Sequence, residues 1–491
     1  MSKLDPRTPV IIGVGQMLQR PDDLSDAVEA LEMMALTVEK AADDAGTRMA
    51  LKKADAIRVI KGAWSYSDPA RLLAERWGAE ATTGLTTDGG NTPQSLVNRS
   101  AREIETGAHD IVVIVGAENI WSRRRARRQE LWIDTTEQKD AVPDEVLGSE
   151  LSMNTKFEVE RGLTQPIHLY PVFESAIRHA NGETLDEHRD RVANLWSTFN
   201  SVAVKNPYSW ATNPMTADDI RNPSPSNRMV GFPYTKAMNS NWDLDQAAAI
   251  IMCSAKTADA LGVHRHNWVF PLAGTDGYDT YAVSERANMH SSPAIRIAGR
   301  KCLELGEVAP DEIDHVDLYS CFPSAVQIGA NELGLSQDRQ LTVTGGLTFA
   351  GGPLNNYVTH SIATMVDVLR NDPNTIGLCS ANGGYTTKHA FGLYSSAPLK
   401  GGFRTEECQA EIDAQPHSTP APDHTGRATI EAYTVMHGKE GPEKALMALE
   451  VAAGVRTWGH SADPDLMSAM IADEFIGTAC EIDRTGSVTV G

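Results

Sequence analysis

Two stretches of this sequence combine residue types that can do chemistry. The first is Asp88-Gly89-Gly90, near the head of TTDGGNTPQSLVNRSAREIETGAHDIVVIVGAE, residues 86–118. The glycines permit a tight turn. Thr92 fits an N-cap, Pro93 the first helical position and Gly107 a C-terminal cap. The apolar, β-branched run 111–115 suits a strand covered on both faces. Such a turn aims backbone N–H groups at whatever binds above the helix N-terminus. It is a natural seat for a nucleophile, yet neither Cys nor Ser stands at its tip. The second stretch is the basic island Arg123, Arg124, Arg125, Arg127 and Arg128. Guanidinium groups suit ligand phosphates; a solvated helix face would use the same residues.

Whatever chemistry these stretches do, the rest of the chain must place them. Lys and Arg number 44 against 65 Asp and Glu, a net charge of −21 that argues against a nucleic-acid binder. It leaves room for an anionic small ligand in a local basic pocket. Cys253, Cys302, Cys321, Cys379, Cys408 and Cys480 are scattered, without CxxC or a Cys/His cluster, so no metal site is expected and reduced thiols are. The start of the chain lacks the apolar run of a signal peptide, and no segment reaches about 18 unbroken apolar residues. A cytoplasmic location without a membrane span is expected.

Strand-like and helical runs alternate from residue 9 to 119 and again from 268 to 395, which predicts parallel, layered α/β sheets in two similar halves. The division expected is an N-terminal half over 1–119 and 240–265, a polar insertion over the active site at 120–239, and a C-terminal half at 266–398. A Pro-rich linker at 399–426 leads to a small antiparallel β-barrel, OB-like, at 427–491.

Taken together, residues from about 8 to 398 resemble the thiolase superfamily, closest to sterol-carrier-type thiolases and the acetyl-CoA acetyltransferase-like group called thiolase-like protein type 1. The strand–turn–helix–strand ending in VIVGAE resembles the family's nucleophile segment. Lys205-Asn206-Pro207-Tyr208-Ser209 is similar to an element of the sterol-carrier-type loop region. Asp317-Leu318-Tyr319-Ser320-Cys321-Phe322 sits where those proteins have H-D-C-F, and 345–353 (GGLTFAGGP) resembles a glycine-rich loop ending in G-H-P. LCSANGG, 378–384, lies at the final C-x-G-type loop. The resemblance implies a five-layer αβαβα fold, a coenzyme A thioester as substrate or ligand with no further cofactor, and a place in lipid and acyl-CoA metabolism. It also implies an additional domain after the thiolase part. Family members usually dimerise through the strand before the turn, here about 79–87; its Thr- and Gly-rich ATTGLTT leaves dimer and monomer both open.

At the family's catalytic positions the sequence departs. Gly90 occupies the nucleophile position, and glycine cannot form an acyl-enzyme. Gly352 replaces the oxyanion histidine of G-H-P, and Tyr319 the histidine of H-D-C-F. Cys321 keeps the H-D-C-F cysteine, and Cys379 loosely matches C-x-G, with a register free to slip by two residues. These departures imply an acyl-CoA-binding protein that is not a working thiolase. One alternative is an aldol-type lyase acting on β-hydroxyacyl-CoA, with Tyr319 as a base of lowered pKa. Another is an acyltransferase using Cys321. Gly90, Gly383 and Gly384 are expected to offer backbone donors, Asn355 (with Asn356 beside it) a replacement oxyanion donor, and Arg123 and Arg124 contacts to ligand phosphates. His315 reads as structural, and His360 as a weak substitute for the missing histidine.

Overall fold

The structure is a computed structural model that describes residues 4–150 and 152–491. The stretch identified above forms the strand Thr82–Thr86, the turn, the helix Thr92–Thr106 and the strand Ile111–Asn119. Asn91, one residue earlier than expected, flanks the helix, and Gly107 closes it in the left-handed conformation. Leu96, Val97, Ala101 and Ile104 are buried, as their spacing predicts. Ser100 is buried on that same face, and Gln94 and Asn98 extend the buried surface further round the helix, because the helix lies between two sheets.

The first sheet runs Pro9–Leu18, Asp245–Ser254, Ile111–Asn119, Ala56–Val59, Thr82–Thr86, Glu145–Leu147. Its first two pairings are antiparallel and the rest parallel. The second sheet runs Phe270–Tyr278, Lys388–Ser395, Ile376–Gly383, His315–Asp317, paired antiparallel, antiparallel, parallel. The expected parallel sheets are therefore mixed. A short turn joins Ile376–Gly383 to Lys388–Ser395, and only an antiparallel pair can be closed so tightly. The same order of orientations in both sheets is what two similar halves would give. Helices Thr92–Thr106 and Tyr357–Asn371 touch both sheets from between them. Ala30–Asp44 covers the outer face of the first sheet and Arg300–Gly306 that of the second, giving five layers.

Residues 120–239 do more than lie over the sheets. Their strand Glu145–Leu147 pairs with Thr82–Thr86, and Gly231 pairs with Met436 of the C-terminal region. Segment 399–426, expected as a linker, packs instead: Phe403, Cys408 and Ile412 are buried, and the helix Gln409–Asp413 lies on Phe270–Tyr278. Beyond it, Gly426–His437, Pro442–Ala452, Val455–Ser461, Ala479–Ile482 and Val488–Val490 form an antiparallel sheet around an apolar core that includes Ile430, Met447, Leu449 and Met470. A bridge from His460 to Ser487 brings its ends together. Among the described residues, no helix is long and apolar enough to cross a membrane.

Candidate functional site

Five segments distant in sequence meet at one cavity of about 410 Å³: the turn 88–90, residues 319–322, the loop 347–355, the hairpin 382–388, and parts of the insertion including Met153 and Tyr170, with Trp242 just beyond its end. Asp317, at the end of its short strand, organises the loop side. Its Oδ2 accepts from Thr342 Oγ1 at 2.9 Å, Val343 N at 2.9 Å and Thr344 N at 3.1 Å, and its Oδ1 from Tyr357 O–H at 2.9 Å. Backbone N–H of Tyr319 donates to Ser380 Oγ at 2.9 Å, and Ser320 Oγ accepts from Leu347 N at 3.3 Å. Tyr319 is thereby fixed to the neighbouring strand and Ser320 to the glycine-rich loop.

Gly90 faces this segment. A Cβ built there would lie 2.4 Å from the Tyr319 hydroxyl and 2.4 Å from the main-chain oxygen of Asn382. The tyrosine hydroxyl thus stands where a side chain at position 90 would begin. Burial, and then the neighbouring Cys321, push the Tyr319 hydroxyl well above its ordinary pKa. The lowered pKa that a base would need is not what this surrounding produces.

Cys321 lines the cavity, 3.8 Å from Asn382 Nδ2. Burial pushes its thiol up to about 12, so it is a protonated small side chain and not a poised nucleophile. Cys379 does not reach the cavity. It sits fully buried in the strand Ile376–Gly383, with Ser361 Oγ at 3.5 Å and a thiol raised by burial. The residues that face the cavity from this loop are Asn382, Gly383 and Gly384.

Gly352 lines the cavity, with its N–H held by Asn241 O at 2.8 Å. Asn355 also lines it but is no free oxyanion donor. Its amide hydrogens go to Lys61 O at 2.9 Å and Asp88 Oδ1 at 3.0 Å, and its oxygen accepts from Gly89 N at 3.0 Å, so it clamps the turn. Asn356 donates to Gly116 O at 2.7 Å. His360 is buried against Gln16 Oε1 at 2.9 Å with its pKa pushed down to about 3, and His315 pairs with Asp372 at 3.0 Å. Neither lines the cavity.

The arginine island divides. Arg124 bonds Asp243 at 3.0 Å and lies 5.5 Å from the ring of Trp242, a half-exposed residue of the cavity wall. Arg123 donates to Ala63 O and, with Arg127 and Trp132, lines a separate hollow of about 620 Å³. Among the wall residues that the sequence does not single out are Tyr170, Asn382 and Lys388. The Tyr170 hydroxyl donates to Gly384 O at 3.0 Å and accepts from Asn382 Nδ2 at 3.0 Å and Thr386 N at 3.1 Å. Lys388, buried, donates to Asp88 O at 3.0 Å and Ser149 O at 3.2 Å; burial lowers its pKa. A lysine heading the apolar strand KHAFGLYS is the one sequence signal that pointed to it. Another hollow of about 410 Å³, beside Tyr278, Arg286 and His417, contains none of the residues expected from the sequence.

No family model matches the chain. Two curated relatives are each called acetyl-CoA acetyltransferase. The one from Methanocaldococcus jannaschii is 24% identical over 267 residues, 54% of this chain and 60% of the relative. That from Methanothermobacter thermautotrophicus is 23% identical over 249 residues, 51% of this chain and 56% of the relative. The matched part thus spans little more than half the length of either. Among solved structures, a monomeric SCP2-thiolase-like protein type 1 from Mycobacterium smegmatis superposes over all of both chains, with a TM-score of 0.84 and 28% identity. An Ltp2-ChsH2(DUF35) aldolase has a TM-score of 0.61 and 18% identity over 80% of this chain and 99% of its own. An acetyl-CoA acetyltransferase from Syntrophomonas wolfei has 0.56 and 17% over 80% and 100%. These last two speak to the fold alone. In the order of its motifs, in its curated relatives and in the full-length match to the type 1 protein, the chain is similar to the thiolase superfamily.

Proposed function

We propose that this chain binds a coenzyme A thioester in the cavity between Gly90, Tyr319 and Asn382 and does not transfer acyl groups as a thiolase. The observation that carries this reading is the Tyr319 hydroxyl in the space where a side chain at position 90 would begin. Acyl transfer would need a thiolate there, and the cavity's one thiol, Cys321, is held protonated by burial. Several features support ligand binding. Met153, Ile167, Phe322, Leu347 and Leu354 give the wall apolar surface for an acyl chain, and Lys388 gives it a buried cation. Arg124 and Trp242 stand at one side, suited to the phosphates and adenine of the carrier. The C-terminal sheet, read as an OB-like module, belongs to the same acyl-CoA-handling protein.

Calorimetry with acetyl- and longer acyl-CoA, with turnover of 3-ketoacyl-CoA followed in parallel, tests the reading. Binding without thiolysis is expected. Thiolysis would refute the loss of acyl transfer, and no binding would remove the ligand class. The position of Tyr319 also favours a second reading, retro-aldol cleavage of a β-hydroxyacyl thioester. The β-hydroxyl would give up its proton as the Cα–Cβ bond breaks, the β-carbon leaving as a carbonyl compound, and the α-carbon would take up a proton in its place to give the shorter thioester. Protonated Tyr319 would donate to the thioester oxygen as charge develops. Cleavage that survives unchanged in Tyr319→Phe rules that role out.

A further inference from the structure

The C-terminal sheet reaches the cavity wall through a chain of buried polar contacts. Arg456, on the strand Val455–Ser461, pairs with Glu431 and donates to Ser284 O at 3.2 Å and to Arg286 O. Trp458 Nε1, two residues along, donates to Ser284 Oγ at 2.9 Å. From the other side Glu158 Oε1 accepts Ser284 N at 2.8 Å and its hydroxyl at 2.7 Å. Segment 284–287 is therefore fixed by the C-terminal sheet and by the insertion together.

Its next residue of consequence is Arg286. The guanidinium is buried and donates to Thr386 O at 2.8 Å and Thr387 Oγ1 at 3.1 Å. Thr386 has φ of 55°, a left-handed conformation that a β-branched side chain resists. Its carbonyl is held by Arg286 and its N–H by the Tyr170 hydroxyl. That hydroxyl in turn orients Asn382, whose amide lies against Cys321. The helix carrying Tyr170, Pro166–Asn181, packs on the C-terminal strand Gly426–His437, with Tyr433 N donating to Ser175 Oγ at 2.9 Å.

We propose that the C-terminal sheet is a positioning element for the cavity. Arg456 and Trp458 fix 284–287, Arg286 holds Thr386 in its strained conformation, and Tyr170 thereby keeps Asn382 and Cys321 in the wall. The inference takes the cavity as the ligand site proposed above, but its test needs no ligand, so the two can fail separately. Iodoacetamide labelling of the full-length protein, read peptide by peptide, compares Cys321 in the wall with Cys379 in the core. Arg286→Met and Arg456→Met are expected to speed labelling of Cys321 about tenfold while Cys379 stays protected. Trp458→Phe, which keeps the ring and removes one hydrogen bond, should give a smaller rise of the same kind and carries the test if an arginine variant does not fold. Met470→Ala, in the C-terminal core but away from 284–287, should leave the ratio unchanged. The proposal is overturned if Cys321 and Cys379 accelerate together, if Cys321 keeps its wild-type rate in every folded clamp variant, or if Met470→Ala reproduces the selective rise.

Discussion

Putting a side chain back at position 90 is the most direct perturbation of this site. In Gly90→Ala the new methyl would meet the Tyr319 hydroxyl at 2.4 Å, Tyr319 Cζ at 2.9 Å and the main-chain oxygen of Asn382 at 2.4 Å. Gly90 is not among the residues with positive φ, so the cost lies in contact and not in backbone conformation. The tyrosine can swing, but the Asn382 oxygen belongs to a paired strand and moves only with it. Overpacking of this kind costs about 1–3 kcal/mol. Tyr319→Phe removes the nearest tyrosine atom and leaves Cζ and the Asn382 oxygen, so it should relieve only part of that cost. Tyr319→Ala removes both tyrosine contacts, and a coupling energy of about 1–2 kcal/mol with Gly90→Ala is expected. Urea titration by near-ultraviolet circular dichroism, run on both single variants and the double, measures it. If Gly90→Ala is as stable as the wild type, or equally costly with and without the Tyr319 ring, the hydroxyl does not occupy the space at position 90. For the same reason, Gly90→Cys alone should form no acyl adduct with acetyl-CoA by intact mass.

Glu118 predicts a pH effect of definite sign. Its Oε1 accepts Ala63 N at 2.9 Å, Oε2 has no partner among the described residues, and burial raises its pKa from 4.5 to about 8. The folded state then holds a proton that the unfolded chain has released, so this residue's contribution falls as pH rises from 4.5 to about 8. The upper bound is about 5 kcal/mol. Glu118→Gln should therefore stabilise the protein at pH 8.5 and lose that advantage near pH 4.5, and equal gains at both would refute the assignment. Lys388→Met should weaken acyl-CoA binding by roughly 10- to 100-fold in calorimetry, the range for a charge-assisted hydrogen bond; unchanged affinity would remove Lys388 from the ligand site. Because Glu145–Leu147 pairs along Thr82–Thr86, the edge through which thiolase-fold chains usually dimerise is already taken. Light scattering should give one chain mass, 53.2 kDa, and twice that would show another interface.

What could be read from the sequence was what neighbouring residues decide. The turn, helix and strand of 86–118 follow from Gly, Pro and a β-branched run, and the antiparallel strands expected after residue 426 are present. Strand direction was out of reach, because pairing partners such as Asp245–Ser254 and Ile111–Asn119 are set by where the chain returns. Cys379 was misplaced for a related reason: three residues along one strand separate a core position from the cavity, and a loose C-x-G cannot register that offset. Asn355 and Lys388 show the same limit in polar form. One spends its amide on the turn and the other projects from an apolar strand, and neither fate is visible without partners. The most informative case joins residues 90 and 319. Separately, a glycine for a nucleophile and a tyrosine for a histidine read as two independent losses. In space they are one arrangement: the absence of a side chain at 90 is what admits the hydroxyl of 319, and restoring either residue alone would collide with the other or leave a void. The site is therefore packed around the space at position 90, and on the proposed reading binding, and any chemistry, runs through Tyr319 and not through position 90.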